Sequence, residues 1–350
     1  MQTISLFKLM TLINNYYREN KIEPLFNQFI GSLQQSLFQQ GNQPVGPHKD
    51  NLFKALKSFN ASALPFSQKR IYLLYKGNEI IGPDSVAYIE KILYDSKFDP
   101  NGVIQKITQH KDRVVQFNAL ANTLIVSLKP FSDQAIEILQ EDEAILEITF
   151  AGDTNIKNIV NLADYADIWN KLFRAFGLLM KKHADDAKII SISKSSPVVI
   201  EIASVITVLF VISKAVDYIL NRIDKYLTIR KKMEEIKNLK LKNKQIAKDL
   251  EIEANEYKNI ASEEIAKTLI KEHGNTSTDG EVKNALSISL KELFEFLDKG
   301  GKVDVHFHAE SKVENNEEKL KIEDIFQKIR ILEDHIEEVR LLPYKSENAT

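Results

Sequence analysis

The stretch Val198–Leu220, VVIEIASVITVLFVISKAVDYIL, decides how the 350-residue chain is read. Between Glu201 and Lys214 lie twelve uncharged residues, heavily β-branched. Apolar runs of this length usually form a buried core helix, whereas roughly 20 apolar residues span a bilayer. Counted from Pro197 to Ser213 the run reaches 17 residues, the lower edge of a span if Glu201 is neutralised or faces other helices. Ser195-Ser196 before Pro197 makes a helix start, and neither glycine nor proline occurs over the 76 positions from Val198 to His273. The spacing predicts one very long helix, or a long hairpin, over 197–273. A single rod of about 55 of these residues would exceed roughly 75 Å at ~1.5 Å per residue, so it must protrude or pack against copies of itself. Within it, Glu201, Ser204, Thr207 and Lys214 are polar positions that a helix bundle turns inward, and Val205 and Leu209 belong to its apolar surface.

Charge sharpens this reading. The chain holds 47 Lys+Arg against 49 Asp+Glu, a formal net charge of -2, which argues against binding duplex DNA by bulk positive charge. That balance averages unlike parts: residues 1–213 sum to +1, Lys214–Lys248 to +7 and Asp249–Thr350 to -10. A cationic flank directly after an apolar segment attracts anionic headgroups, and the acidic region beyond it is able to fold back and cover it. The chain contains no cysteine, which excludes disulfide scaffolds, thiolate zinc sites, iron–sulfur clusters and cysteine nucleophiles. The first 20 residues carry neither a basic n-region nor a small-residue cleavage site, so the N-terminus is expected to start out cytoplasmic. The expected location is the cytoplasm with membrane association, or the inner membrane through 197–220.

Around this segment the apolar periodicity predicts an α+β fold that is predominantly helical. Residues 1–140 form a helical module: helices over Met1–Asn60 interrupted by the turn-rich Gly41–Asp50, a segment at Arg70–Ile81 compatible with a hairpin, a helix at Asp84–Leu93, and a helix ending at Pro130. Residues 141–196 form a small unit of strand (Ala144–Phe150), helix (Asp164–Lys182) and strand (Ala187–Ser193). Residues 197–273 form the long hydrophobic and basic region. After the linker Gly274–Gly280, residues 281–345 form an acidic helix-strand-helix, whose last helix carries Ile322, Ile325, Ile329, Leu332, Ile336 and Val339 as an a/d heptad run.

Two further groups bear on chemistry. Lys69, Arg70 and Tyr72, with Tyr75 and Lys76, and His110, Lys111 and Arg113 combine cations with aromatic rings, as single-stranded oligonucleotide sites do. In Val303–Glu310, VDVHFHAE, strand alternation places Asp304, His306, His308 and Glu310 on one face. A His-x-His pair can ligate zinc, but a half-buried strand with its polar residues turned outward accounts for the same pattern. No metal or cofactor is expected, and the chain is not expected to be an enzyme.

The layout of an N-terminal module, a strand ending in SISKSSP, the apolar VVIEIASVITVLFVISKAVDYIL, a basic helical extension and an acidic tail resembles membrane effectors of bacterial anti-phage defence systems, most narrowly the Hailong transmembrane effectors. The resemblance implies a homo-oligomer with a channel-like activation region. It also implies restraint by single-stranded deoxyadenosine oligomers made by a partner nucleotidyltransferase, with growth arrest on release. It assigns no ligand-binding residue. A soluble coiled-coil scaffold without membrane activity is the alternative.

Overall fold

A computed structural model describes residues 2–38, 45–95, 99–136, 142–183, 186–193, 197–238, 244–273, 280–307 and 316–341. Among them are twelve α-helices and a four-stranded antiparallel sheet, a predominantly helical α+β fold. The chain divides into two compact units, residues 1–138 and 139–350.

The first unit is all helical. α1 (Gln2–Glu19), α2 (Ile22–Phe38) and α3 (Val45–Lys57) are followed by α4 (Phe66–Leu74), α5 (Gly77–Ile80), α6 (Pro83–Asp95) and α7 (Pro100–Ile136). Leu9, Ile13, Phe26, Phe29, Leu52, Tyr72, Ile89 and Ile107 form its core. Three expectations are corrected here. The turn-rich segment becomes helical from Val45, because Pro47 falls within the first turn of α3, where the missing N–H costs nothing; residues 41–44 lie outside the described residues. Arg70–Ile81 is a pair of helices rather than a hairpin: Tyr72 is buried and the four residues after it are exposed, which is not a period of two. Helix α7 runs through Pro130 to Ile136, with the proline on an exposed position.

In the second unit β1 (Glu143–Phe150) leads to α8 (Ile159–Met180), then to the hairpin β2 (Lys188–Ile192) and β3 (Val198–Val205). Two antiparallel helices follow, α9 (Ile206–Asn238) and α10 (Lys244–His273), then α11 (Gly280–Asp298), β4 (Lys302–His306) and α12 (Asn316–Leu341). The strand order is β2-β3-β1-β4. The segment expected to be one helix from Pro197 is therefore strand first and helix second. Val198 to Val205 is rich in β-branched residues and alternates, so Ile200 and Ile202 join the core while Glu201 and Ala203 point the other way. The helical region resolves as the hairpin alternative; residues 239–243 lie outside the described residues.

Strand pairing ties the segments expected at 141–196, 197–273 and 281–345 into one core. On its apolar face Ala144, Leu146, Ile148 and Phe150 align with Ile200, Ile202, Val303 and Val305. This face meets Trp169, Phe173 and Phe176 of α8 and Phe294 and Phe296 of α11. The rings of Phe150 and Trp169 lie 5.5 and 5.4 Å from that of Phe296, both edge-on. The heptad positions Ile322, Ile329 and Ile336 of α12, with Phe326, are spent in this same core, and α12 packs along α9.

Candidate functional site

Helix α9 is apolar where it leaves the sheet. Leu209, Val211, Ile212, Ala215, Val216, Ile219, Leu220 and Ile223 are all buried. A helix that is hydrophobic on most of its surface must be surrounded, and α10, α12, α11 and α8 surround this one. The cover from α10 consists of Ala254, Ala261, Ile265, Ala266 and Leu269, mostly small or aliphatic residues that let the two helices approach closely.

Along the edge of that contact runs a polar clasp. Phe210, Lys214 and Tyr218 recur every four residues and so share one face of α9. The Lys214 ammonium donates to Glu272 Oε2 at 2.8 Å, lies 3.3 Å from His273 Nε2, and sits 4.9 Å from the centre of the Phe210 ring. The Tyr218 hydroxyl donates to the other Glu272 oxygen at 2.9 Å. The His273 ring meets that of Phe210 edge-on at 5.7 Å. One helix turn further, Arg222 reaches Glu264 at 3.2 Å. Burial opposes ionisation of Glu272, but its bonds from Lys214 and Tyr218 outweigh this and hold its pKa below the usual value. Burial and the adjacent Lys214 lower the pKa of His273, which is thereby kept neutral as an acceptor. The acidic region folding back over cationic residues next to the apolar segment is thus present in these two ion pairs, from Glu264 and Glu272 to Arg222 and Lys214.

The residues singled out around 201–214 do not converge. Glu201 lies in β3 and accepts from Ser191 Oγ at 3.0 Å; its buried position and then the neighbouring Glu147 raise its pKa. Ser204 is buried at the end of the same strand, Val205 is half-buried, and Leu209 is wholly inside. The Thr207 hydroxyl is buried without a hydrogen-bond partner among the described residues. Only Lys214 belongs to the clasp.

The opposite face of the sheet carries a buried polar row that the periodicity misjudged. Glu147 of β1 stands between Glu201 of β3 and Asp304 of β4. His306 Nε2 lies 3.0 Å from Glu147, and the Arg330 guanidinium of α12 donates to both oxygens of Asp304, at 2.8 and 2.5 Å. Asp304 and His306 are buried, not turned to water, because Arg330 provides the partner that a buried carboxylate requires. His308 and Glu310 lie outside the described residues. Among the described residues no group of His, Asp and Glu is arranged to hold a metal ion. Beside this row Glu333 lines a small cavity with Lys302, Gly301 and Glu337; burial pushes its pKa up to about 8, with Lys302 countering.

The cation-aromatic residues of the first unit also separate. Tyr72 is core: its ring packs 5.4 Å from that of Phe59 and its hydroxyl donates to the Ile81 carbonyl, so it offers no stacking face. His110 is buried too, with Nε2 2.7 Å from Ser85 Oγ, and burial followed by the charge of Arg113 lowers its pKa to about 4. Lys111 reaches Asn27 at 3.3 Å and Arg113 reaches Glu79 at 3.4 Å. Arg70 is exposed, and Lys69 is half-buried. Direction separates the group: Tyr72 and His110 face inward, whereas Arg70 and Tyr75 are exposed and Lys69 and Lys111 are half-buried.

Among the described residues no helix is long and apolar enough to cross a membrane. Compared with protein-family models, with curated proteins and with solved structures, the chain matches none.

Proposed function

We propose that the chain is a non-enzymatic, homo-oligomeric effector of bacterial anti-phage defence that perturbs membranes in a channel-like way once helix α9 is uncovered. The observation supporting this reading is the clasp. An apolar helix with a cationic edge is covered by an acidic helix through an apolar seam, and Lys214–Glu272 and Arg222–Glu264 close the edge of that seam with ion pairs that charge reversal opens. In the resting state the hairpin satisfies its own apolar surface. In the released state α9 exchanges α10 for copies of itself or for lipid. A nucleotide or a single-stranded oligodeoxyadenylate, made by a partner nucleotidyltransferase, is the restraining ligand that the resemblance implies, and growth arrest is the outcome of its loss.

The second reading is a soluble interaction scaffold that never meets lipid. It is favoured by the burial of Leu209, Val211, Ile212, Ala215, Val216, Ile219, Leu220 and Ile223 within the chain's own fold. Expression in bacteria separates the two. Under the first reading the wild-type chain depolarises and arrests cells, Glu272→Lys does so at lower expression, and Lys214→Glu combined with Glu272→Lys returns to the wild-type level. Under the second, all three leave membrane potential and growth unchanged. A nucleotidyltransferase encoded beside the chain, whose co-expression relieves the arrest, would support the ligand; arrest unaltered by it would remove that part.

A further inference from the structure

The end of α4 presents apolar side chains to solvent in a way that fraying does not explain. Leu73, Leu74 and Tyr75 are 51%, 78% and 41% exposed. They are bracketed by two fixed points. Tyr72, immediately before, is buried against Phe59 with its hydroxyl on the Ile81 carbonyl. Lys76, immediately after, adopts the left-handed conformation with φ 54°, and Gly77 lies so close under the Tyr72 ring that a Cβ there would collide with it. The turn is therefore fixed on both sides, and the two leucines and the tyrosine form an exposed apolar tip.

The charges around the tip are predominantly positive. Residues 66–80 contain Lys69, Arg70 and Lys76 against the single acid Glu79. Glu79 is itself engaged by Lys76 at 3.6 Å and Arg113 at 3.4 Å, so it adds little repulsion toward an anion. Arg70 is exposed one turn before Leu74. A nucleic acid offers leucine no aliphatic receptor, and three side chains bury far less than the roughly 800 Å² per partner that a stable dimer needs. Aliphatic side chains ringed by cations match the boundary between the acyl chains and phosphates of a bilayer.

We propose that Leu73, Leu74 and Tyr75 form a docking element for an anionic lipid surface, with Arg70 and Lys76 engaging its phosphates. This binding is peripheral and does not depend on α9 entering the bilayer, so it stands or falls separately from the proposed effector activity. The test is co-flotation of the full chain with vesicles of phosphatidylcholine, alone or mixed with phosphatidylglycerol, with dye release recorded in the same samples. Partition to the mixed vesicles is expected with or without dye release. It should fall tenfold or more in Leu73→Ser with Leu74→Ser, and about fivefold per cation removed in Arg70→Gln and Lys76→Gln. Unaltered far-ultraviolet circular dichroism establishes that these surface variants fold. Partition unchanged in the leucine variant overturns the proposal, as does wild-type binding that is equal for neutral and anionic vesicles. A concentration-dependent dimer abolished by the leucine variant, without vesicle binding, overturns it in favour of a second copy as the occupant.

Discussion

The Lys214 ammonium lies 2.8 Å from the Glu272 carboxylate and 3.3 Å from the His273 ring, so one lysine ties the start of α9 to the last turn of α10. Both partners are partly exposed, at 24% and 32% of their side-chain surface, so solvent screens the pair and its strength is that of a surface ion pair. A double-mutant cycle of Lys214→Ala and Glu272→Ala should give a coupling energy of about 1 kcal/mol. The single tryptophan, Trp169, lies in the core of the same unit and reports its urea unfolding by fluorescence. A coupling of zero would remove the clasp as an energetic feature.

Acid should loosen the clasp in two stages. His273 has a folded pKa below its ordinary 6.5, so the folded state binds fewer protons than the unfolded chain and stability falls as pH drops below 6.5. Glu272 has a folded pKa below its ordinary 4.5, so its contribution is present above that pH and is lost as pH falls through the folded value. Among the described residues Lys214 faces both groups and they face each other at 3.7 Å, with the Tyr218 hydroxyl and the Phe210 ring completing the surroundings. Replacing His273 by Gln should flatten the first stage in urea midpoints measured between pH 7 and 5 and leave the second in place.

His110 makes a similar but independent prediction for the first unit. Its ordinary pKa of 6.5 falls to about 4 on folding, so stability is lost as pH drops from 6.5 toward 4, by up to about 3 kcal/mol. The His110 ring should titrate near 4 by NMR. His110→Phe keeps the ring contacts with Phe26 and Tyr88 while removing the proton site, and should abolish this acid sensitivity.

The Arg330–Asp304 pair joins α12 to the sheet edge at a buried position. Arg330→Ala leaves a buried carboxylate uncompensated and should cost about 3–5 kcal/mol. Arg330→Met together with Asp304→Asn should cost markedly less than Arg330→Ala. A double variant as unstable as Arg330→Ala would show that the charge is not what α12 contributes there.

Much of the architecture was legible in residue order, for reasons that individual positions make plain. Ala144–Phe150, Asp164–Lys182 and Glu281–Asp298 carried regular apolar patterns, and they appear close to where periodicity placed them. Val198–Val205 did not, because its preference for strand was outweighed by the helix-like absence of glycine and proline after it; only pairing with β1 decides it. Asp304 and His306 read as solvent-facing because their partners, Arg330 for Asp304 and Glu147 for His306, lie 26 positions later and 159 positions earlier in sequence, beyond any local pattern. Tyr72 and His110 read as ligand contacts because composition carries no direction. The clasp was visible only as a sign change of charge along the chain, with no indication of which lysine would meet which glutamate.

Under the proposed function, α9 perturbs membranes once its α10 cover opens. Release of dye from phosphatidylcholine–phosphatidylglycerol vesicles tests it most directly, with the wild type, Glu272→Lys, and Lys214→Glu combined with Glu272→Lys compared at equal concentration. The account predicts faster release by Glu272→Lys than by the wild type, and a return to the wild-type rate when the charges are exchanged. Equal rates in all three proteins, or no release by any of them, would contradict it.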